Sequence, residues 1–217
     1  MRKREFTDRL ANLTGVTNAD AEEEVEKSVQ RLFYWAAYAD KYGGTVQETQ
    51  LYGTVIKIHE PVGVIGIACP DQNPLLNFVS LFAVAIARSN AVVVVPSEKY
   101  PLLALDMYQI FDTSDLPGGV VNILTGDRDH ITKYLSEHQN VDAMWYFGTP
   151  EGSKFVEHSS AVNVKRTWVN HGLTRDWISN EQGQVCTFVF VELELFHYNL
   201  FDFYFAGQGI FVPFGSS

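Results

Sequence analysis

Hydrophobic positions are densest between residues 62 and 98. Residues 62–68 form a short apolar run rich in β-branched side chains and bounded by Pro61 and Pro70, the pattern of a strand buried on both faces. A turn over residues 70–74 (Pro-Asp-Gln-Asn-Pro) leads to apolar residues at helical length over 75–87, and a second apolar run at 91–95 closes at Pro96. Strand, helix and strand at this spacing make a βαβ unit, from which parallel sheets are built. The pattern predicts an α/β chain.

The flanks extend it. Thr17 with Asp20 three residues later approximates a capping box, and Glu22, Glu23 and Glu24 read as a solvated, negatively charged helix start. Val25, Val29, Leu32, Phe33, Ala36 and Ala37 then recur at helical spacing until Gly43-Gly44, whereas residues 1–16 carry no strong pattern. Residues 45–60 read as an extended hairpin. Downstream, the pattern predicts a helix over 102–111, a strand over 120–124, a helix over 129–137, and strands over 143–147 and 166–170. Thr149 and Pro150 suit the N-cap and first turn of a further helix. Residues 185–206 are crowded with aromatics, but Glu192, Glu194, His197, Asn199 and Asp202 argue against a membrane span, and partial alternation over 187–195 predicts one strand.

Composition removes several classes of function. A length of 217 residues supplies a core for one domain or one and a half, and a net charge of −10 disfavours a nucleic-acid partner. Two isolated cysteines, Cys69 and Cys186, make neither a disulfide framework nor a zinc site, which fits a reducing cytoplasm. Glu5 and Asp8 interrupt the basic start and no apolar stretch follows it, so a signal peptide is not expected.

The blocks EPVGVIG, Pro70 and Pro74, VVVVPSE and PGGVVNILTG resemble, in order and spacing, the cofactor domain of the aldehyde dehydrogenase superfamily, from about Arg31 to about Asn170. The resemblance implies a Rossmann-like parallel sheet over 61–176, preceded by a helix and bridging hairpin over 1–60. Residues 177–217 would be a tail outside the family pattern, with most of the catalytic domain missing. Residues 185–207 read as an insertion, translated intron being one origin. The departures described next, and the closing GIFVPFGSS, resemble the degenerate second unit of the family 16 member.

Such an enzyme needs a thiolate nucleophile, an oxyanion donor, a carboxylate base and a bound dinucleotide. By resemblance, Gln72 stands where the oxyanion-stabilising asparagine is expected, displaced by its extra methylene. Asn170 stands at the general-base glutamate, and an amide accepts no proton from water. Cys186, within Gln-Gly-Gln-Val-Cys, is a weak nucleophile candidate, falling sixteen residues after Asn170 (186 − 170). The cofactor-binding positions implied are Pro70, Pro96, Ser97, Glu98, Gly126, Gly148 and Thr149. Val95 replaces a ribose-binding lysine and Arg128 a second glycine. The turn at Gly148 reads equally well as an ordinary βα turn or as an anion cradle. Together these predict a non-catalytic interaction or regulatory module with weak or vestigial NAD affinity, whose partner would be another aldehyde dehydrogenase-like subunit or a different protein. The alternative is an NAD(P)-dependent oxidoreductase that converts an aldehyde to a carboxylic acid.

Overall fold

A computed structural model describes residues 2–41, 43–48, 53–179 and 191–199. Two helices open the chain, α1 (Lys3–Thr14) and α2 (Asn18–Tyr38), followed by strands β1 (Thr45–Glu48) and β2 (Gly53–Pro61). Then come β3 (Val64–Ala68), α3 (Pro74–Ile86), β4 (Ala91–Val95), α4 (Pro101–Asp106), α5 (Tyr108–Thr113) and β5 (Val121–Ile123). The series continues with α6 (Arg128–Glu137), β6 (Ala143–Tyr146), α7 (Pro150–Ser160), β7 (Arg166–Val169) and β8 (Val191–Asn199).

Five strands form a parallel sheet in the order β5-β4-β3-β6-β7, so the chain starts in the middle and winds outward both ways. Both faces are covered, as all-parallel sheets require. Ile65, Ile67, Val92, Val94 and Trp145 are fully buried, together with Leu76, Phe78, Leu81 and Phe82 of α3. The α/β fold predicted by the apolar runs, and the Rossmann-like parallel sheet that the resemblance implies, are the fold observed.

A second sheet, β1-β2-β8, is antiparallel, and β8 pairs with β2 along all nine residues, from Pro61↔Val191 to Gly53↔Asn199. A strand is therefore present in the aromatic tail, four residues later than alternation alone placed it (191 against 187). Among the described residues no helix is long and apolar enough to cross a membrane.

Three local expectations change. α1 forms although its pattern is weak, because only Phe6 and Leu10, one turn apart, are buried on it. The helix predicted over 102–111 breaks at Met107, where Met107 N–H bonds Ala104 O (3.1 Å) and Ile110 N–H bonds Met107 O (2.9 Å), both three-residue steps. On α2 the buried stripe is rotated: Ala21, Glu24, Val25, Ser28, Arg31 and Trp35 face inward, and Phe33 is 73% exposed. The expectation that Glu22, Glu23 and Glu24 are all solvated fails at Glu24, whose carboxylate lies inside.

The chain after β7 folds back onto the core. Trp177 is buried, 5.5 Å ring to ring from Phe147, and Arg31 holds this segment by donating to the carbonyls of Trp177 (2.9 Å) and Ser179 (2.7 Å).

Candidate cofactor cleft

In open parallel sheets ligands bind beyond the carboxyl ends of the strands, beside the point where strand order reverses. Here that point lies between β3 and β6, and every implied site residue within the described part of the chain follows one of these strands. Pro70 and Gln72 follow β3; Pro96, Ser97 and Glu98 follow β4; Gly126 follows β5. Gly148 and Thr149 follow β6, and Asn170 follows β7. Cys186 lies outside the described residues.

The loop after β3 is held from within. The buried Asn77 amide donates to the carbonyls of Pro70 (2.9 Å) and Gln72 (2.6 Å), and Asn73 takes a left-handed conformation (φ 45°) that lets the chain turn into α3. The backbone of Gln72 is thus fixed while its side chain is exposed. The first donors of α3 are capped from another helix: Glu24 Oε1 accepts from Leu75 N–H (3.0 Å) and Leu76 N–H (3.1 Å). Burial raises the Glu24 pKa, opposed by these two bonds and one from Asn73.

Beside this loop, Pro96 and Ser97 are buried and Glu98 is exposed. Ser97 Oγ donates to Asp71 Oδ1 (2.7 Å), joining the ends of β4 and β3. Val95 is fully buried and offers no polar group. Cys69 is an inert core thiol: it is fully buried, and burial pushes its pKa up.

Arg128, at the first position of α6, lays its side chain across the strand ends. Nη1 donates to the Cys69 carbonyl (3.3 Å) and lies 3.9 Å from Asp71 Oδ2, while Nε lies 3.8 Å from Asp129 Oδ1. Gly126, at φ 154°, takes a backbone conformation that residues with a side chain rarely adopt and packs near Ile131, and the donors of α6 are capped by Asp127, which accepts from His130 N–H (2.6 Å).

At the start of α7 the expected Thr149 cap forms, Oγ1 accepting from Gly152 N–H (3.0 Å). The space above Gly148 and Gly152 is filled by the phenol of Tyr146, with which a Cβ on either glycine would overlap. The Tyr146 hydroxyl donates to Asp129 Oδ1 (2.6 Å) and accepts from Thr149 N–H (3.1 Å). Burial raises its pKa and Asp129 adds to the effect, so the phenol keeps its proton. Glycine lets backbone approach a phosphate closely, but here both glycines admit a side chain of their own chain. Sequence reasoning missed Tyr146 because it lies within an apolar run and reads as part of that strand's core.

Asn170 is committed within its own turn: Nδ2 donates to Leu173 O (2.8 Å) and Oδ1 accepts from Gly172 N–H (3.3 Å). A shallow depression lined by Glu137, Phe155, His158 and Asn163 lies at the opposite edge of the sheet and brings together none of the predicted residues.

Comparison with known proteins agrees with this fold. The description "Aldehyde dehydrogenase family" matches residues 1–187, beyond both ends of the stretch marked by the motifs, and so includes α1 and the segment containing Cys186. The chain is 31% identical over 151 residues to the NADP/NAD-dependent aldehyde dehydrogenase PuuC of Escherichia coli (strain K12), covering 69% of this chain and 30% of that protein. It is 33% identical over 150 residues to retinaldehyde dehydrogenase 3 of Homo sapiens, covering 69% and 29%. Among solved structures, a betaine aldehyde dehydrogenase double mutant from Staphylococcus aureus in complex with NAD+ superposes with a TM-score of 0.74 at 25% identity, over 77% of this chain and 34% of that one. A putative aldehyde dehydrogenase from Burkholderia cenocepacia gives 0.74 at 28% identity, over 77% and 35%. The chain spans about 30% of the length of the curated relatives it matches.

Proposed function

We propose, for a chain that belongs to the aldehyde dehydrogenase family, that it acts as a non-catalytic interaction or regulatory module built on the family's cofactor domain. One observation carries this reading. Asn170, which by resemblance stands where the general base is expected, has its amide hydrogen-bonded on both sides within its own turn. An amide takes no proton from water near neutral pH, so hydrolysis of an acyl-enzyme has no base there.

Two further features support the reading. The exposed Gln72 replaces the oxyanion donor, and a misplaced donor stabilises little developing charge. The NAD-complexed S. aureus neighbour sets the expectation of a dinucleotide for the fold, and on our reading this chain retains at most weak affinity for it. The departures resemble the second unit of the family 16 member, and the partner is another aldehyde dehydrogenase-like subunit or a different protein in the cytoplasm. One observation favours catalysis instead: the family match includes the Gln-Gly-Gln-Val-Cys segment, with Cys186 as nucleophile.

Aldehyde-dependent NAD(P)H formation by the purified chain and by Cys186→Ala separates the two. We expect no turnover above the variant's background. Turnover that Cys186→Ala abolishes establishes the oxidoreductase and ends the module reading.

A further inference from the structure

The polar groups along the carboxyl edge of the sheet form one chain of contacts. It runs from Ser97 to Asp71, on to Arg128 and Asp129, and then through the Tyr146 hydroxyl to Thr149. In a doubly wound fold this edge is where a dinucleotide lies, its pyrophosphate against the N–H groups that open a helix. Each requirement of that arrangement meets a resident group here. The Thr149 N–H is bonded to the Tyr146 oxygen and the Gly152 N–H to Thr149 Oγ1. The glycine-lined space holds the phenol. The Cys69 carbonyl at the end of β3 is bonded to Arg128, whose side chain is only 13% exposed. An approaching pyrophosphate would also meet the Asp129 carboxylate, 2.6 Å from the hydroxyl it must displace, and Asp71 across the cleft. Arg128 is the cation between those two carboxylates and is already shared by them.

We propose that Tyr146 and Asp129, with Arg128 laid across the strand ends, form a built-in stopper that excludes a dinucleotide from this cleft. The residues present do not fit the cofactor of the fold, and the misfit is specific: a hydroxyl and a carboxylate at the helix start, and a guanidinium where a glycine would leave the cleft open. The inference rests on the module reading above. It has a separate readout, however, since binding is measured without aldehyde.

The test is the thermal melt of the whole chain with and without 1 mM NAD, the upper end of the range of about 1 μM–1 mM in which enzyme KM values fall. Tyr146→Leu/Asp129→Asn removes the ring edge and hydroxyl that fill the glycine-lined space together with the charge, keeps an apolar side chain at the end of β6, and frees the Thr149 donor. Adding Arg128→Gly opens the strand ends. We expect no shift for the natural chain, an upward shift of about 3–6 °C for the double variant if NAD reaches roughly ten times its Kd, and a larger one for the triple. A shift of that size in the natural chain overturns the proposal, as does a double variant that melts cooperatively and does not respond. Should the triple variant fail to fold, the double variant alone decides. NAD binding by the natural chain without aldehyde turnover would refute the stopper and leave the module reading standing.

Discussion

Replacing Glu24 with alanine removes a carboxylate that holds the start of a helix from another part of the chain. α3 begins at Pro74 after Asn73, whose side chain makes no cap bond, and its early residues Leu75 and Leu76 are 2% and 0% exposed. Their N–H groups therefore have no water to turn to, and Glu24 Oε1 serves both. Loss of an N-cap costs about 1 kcal/mol, and stranding a buried donor adds about 1–3 kcal/mol. We expect Glu24→Ala to lose about 2–4 kcal/mol, a fall in Tm of roughly 5–15 °C for a chain of this size. Glu24→Gln keeps an oxygen acceptor and should lose much less.

The same pair carries a pH signature. Burial raises the Glu24 pKa in the fold above its unfolded value. Its contribution is fully present below the unfolded value and is lost as pH rises through the folded one. Glu24→Gln has no such loss, so its stability relative to the natural chain should improve as pH rises out of the ordinary carboxylate range. Calorimetric melts of the three proteins between about pH 4 and pH 8 make the comparison. A Glu24→Ala melt within a degree or so of the natural chain would refute the cap.

Other consequences follow from single contacts. Trp177→Ala, which empties a buried site against Phe147, should cost about 3–5 kcal/mol by denaturant titration, whereas a Trp177 outside the core would be nearly neutral. Lys165 donates to the carbonyls of Val141 (2.8 Å) and His138 from a buried position, so Lys165→Met should destabilise the chain by about 1–3 kcal/mol, read by the same titration. Cys69 should resist thiol reagents in the native chain and react once it is unfolded; mass spectrometry that finds rapid native labelling would contradict its burial.

Much of the fold was legible in the sequence because its signals are local. The β-branched run at residues 91–95 could be satisfied only by a strand covered on both faces, and β4 occupies those residues. The apolar stretch beginning at Leu75, preceded by Pro74, specifies α3 to within a residue or so. Thr17 with Asp20, and Thr149 followed by Pro150, announced their caps, since a cap bond closes within one turn. The cofactor positions were implied by the family resemblance, and they fall in loops that follow strands of the parallel sheet.

What those loops contain was decided by tertiary structure. Glu24 reads as one of three solvated acids, yet it is buried because the donors it serves are about fifty residues away. Arg31 faces inward for carbonyls nearly 150 residues downstream. Tyr146 lies within an apolar run, and its hydroxyl acquires a role only where α6 brings Asp129 to the end of β6. Apolar periodicity follows from backbone geometry and can be read along a few turns of chain. A buried polar group is tolerated only where its partners arrive, and long-range packing determines which partners those are.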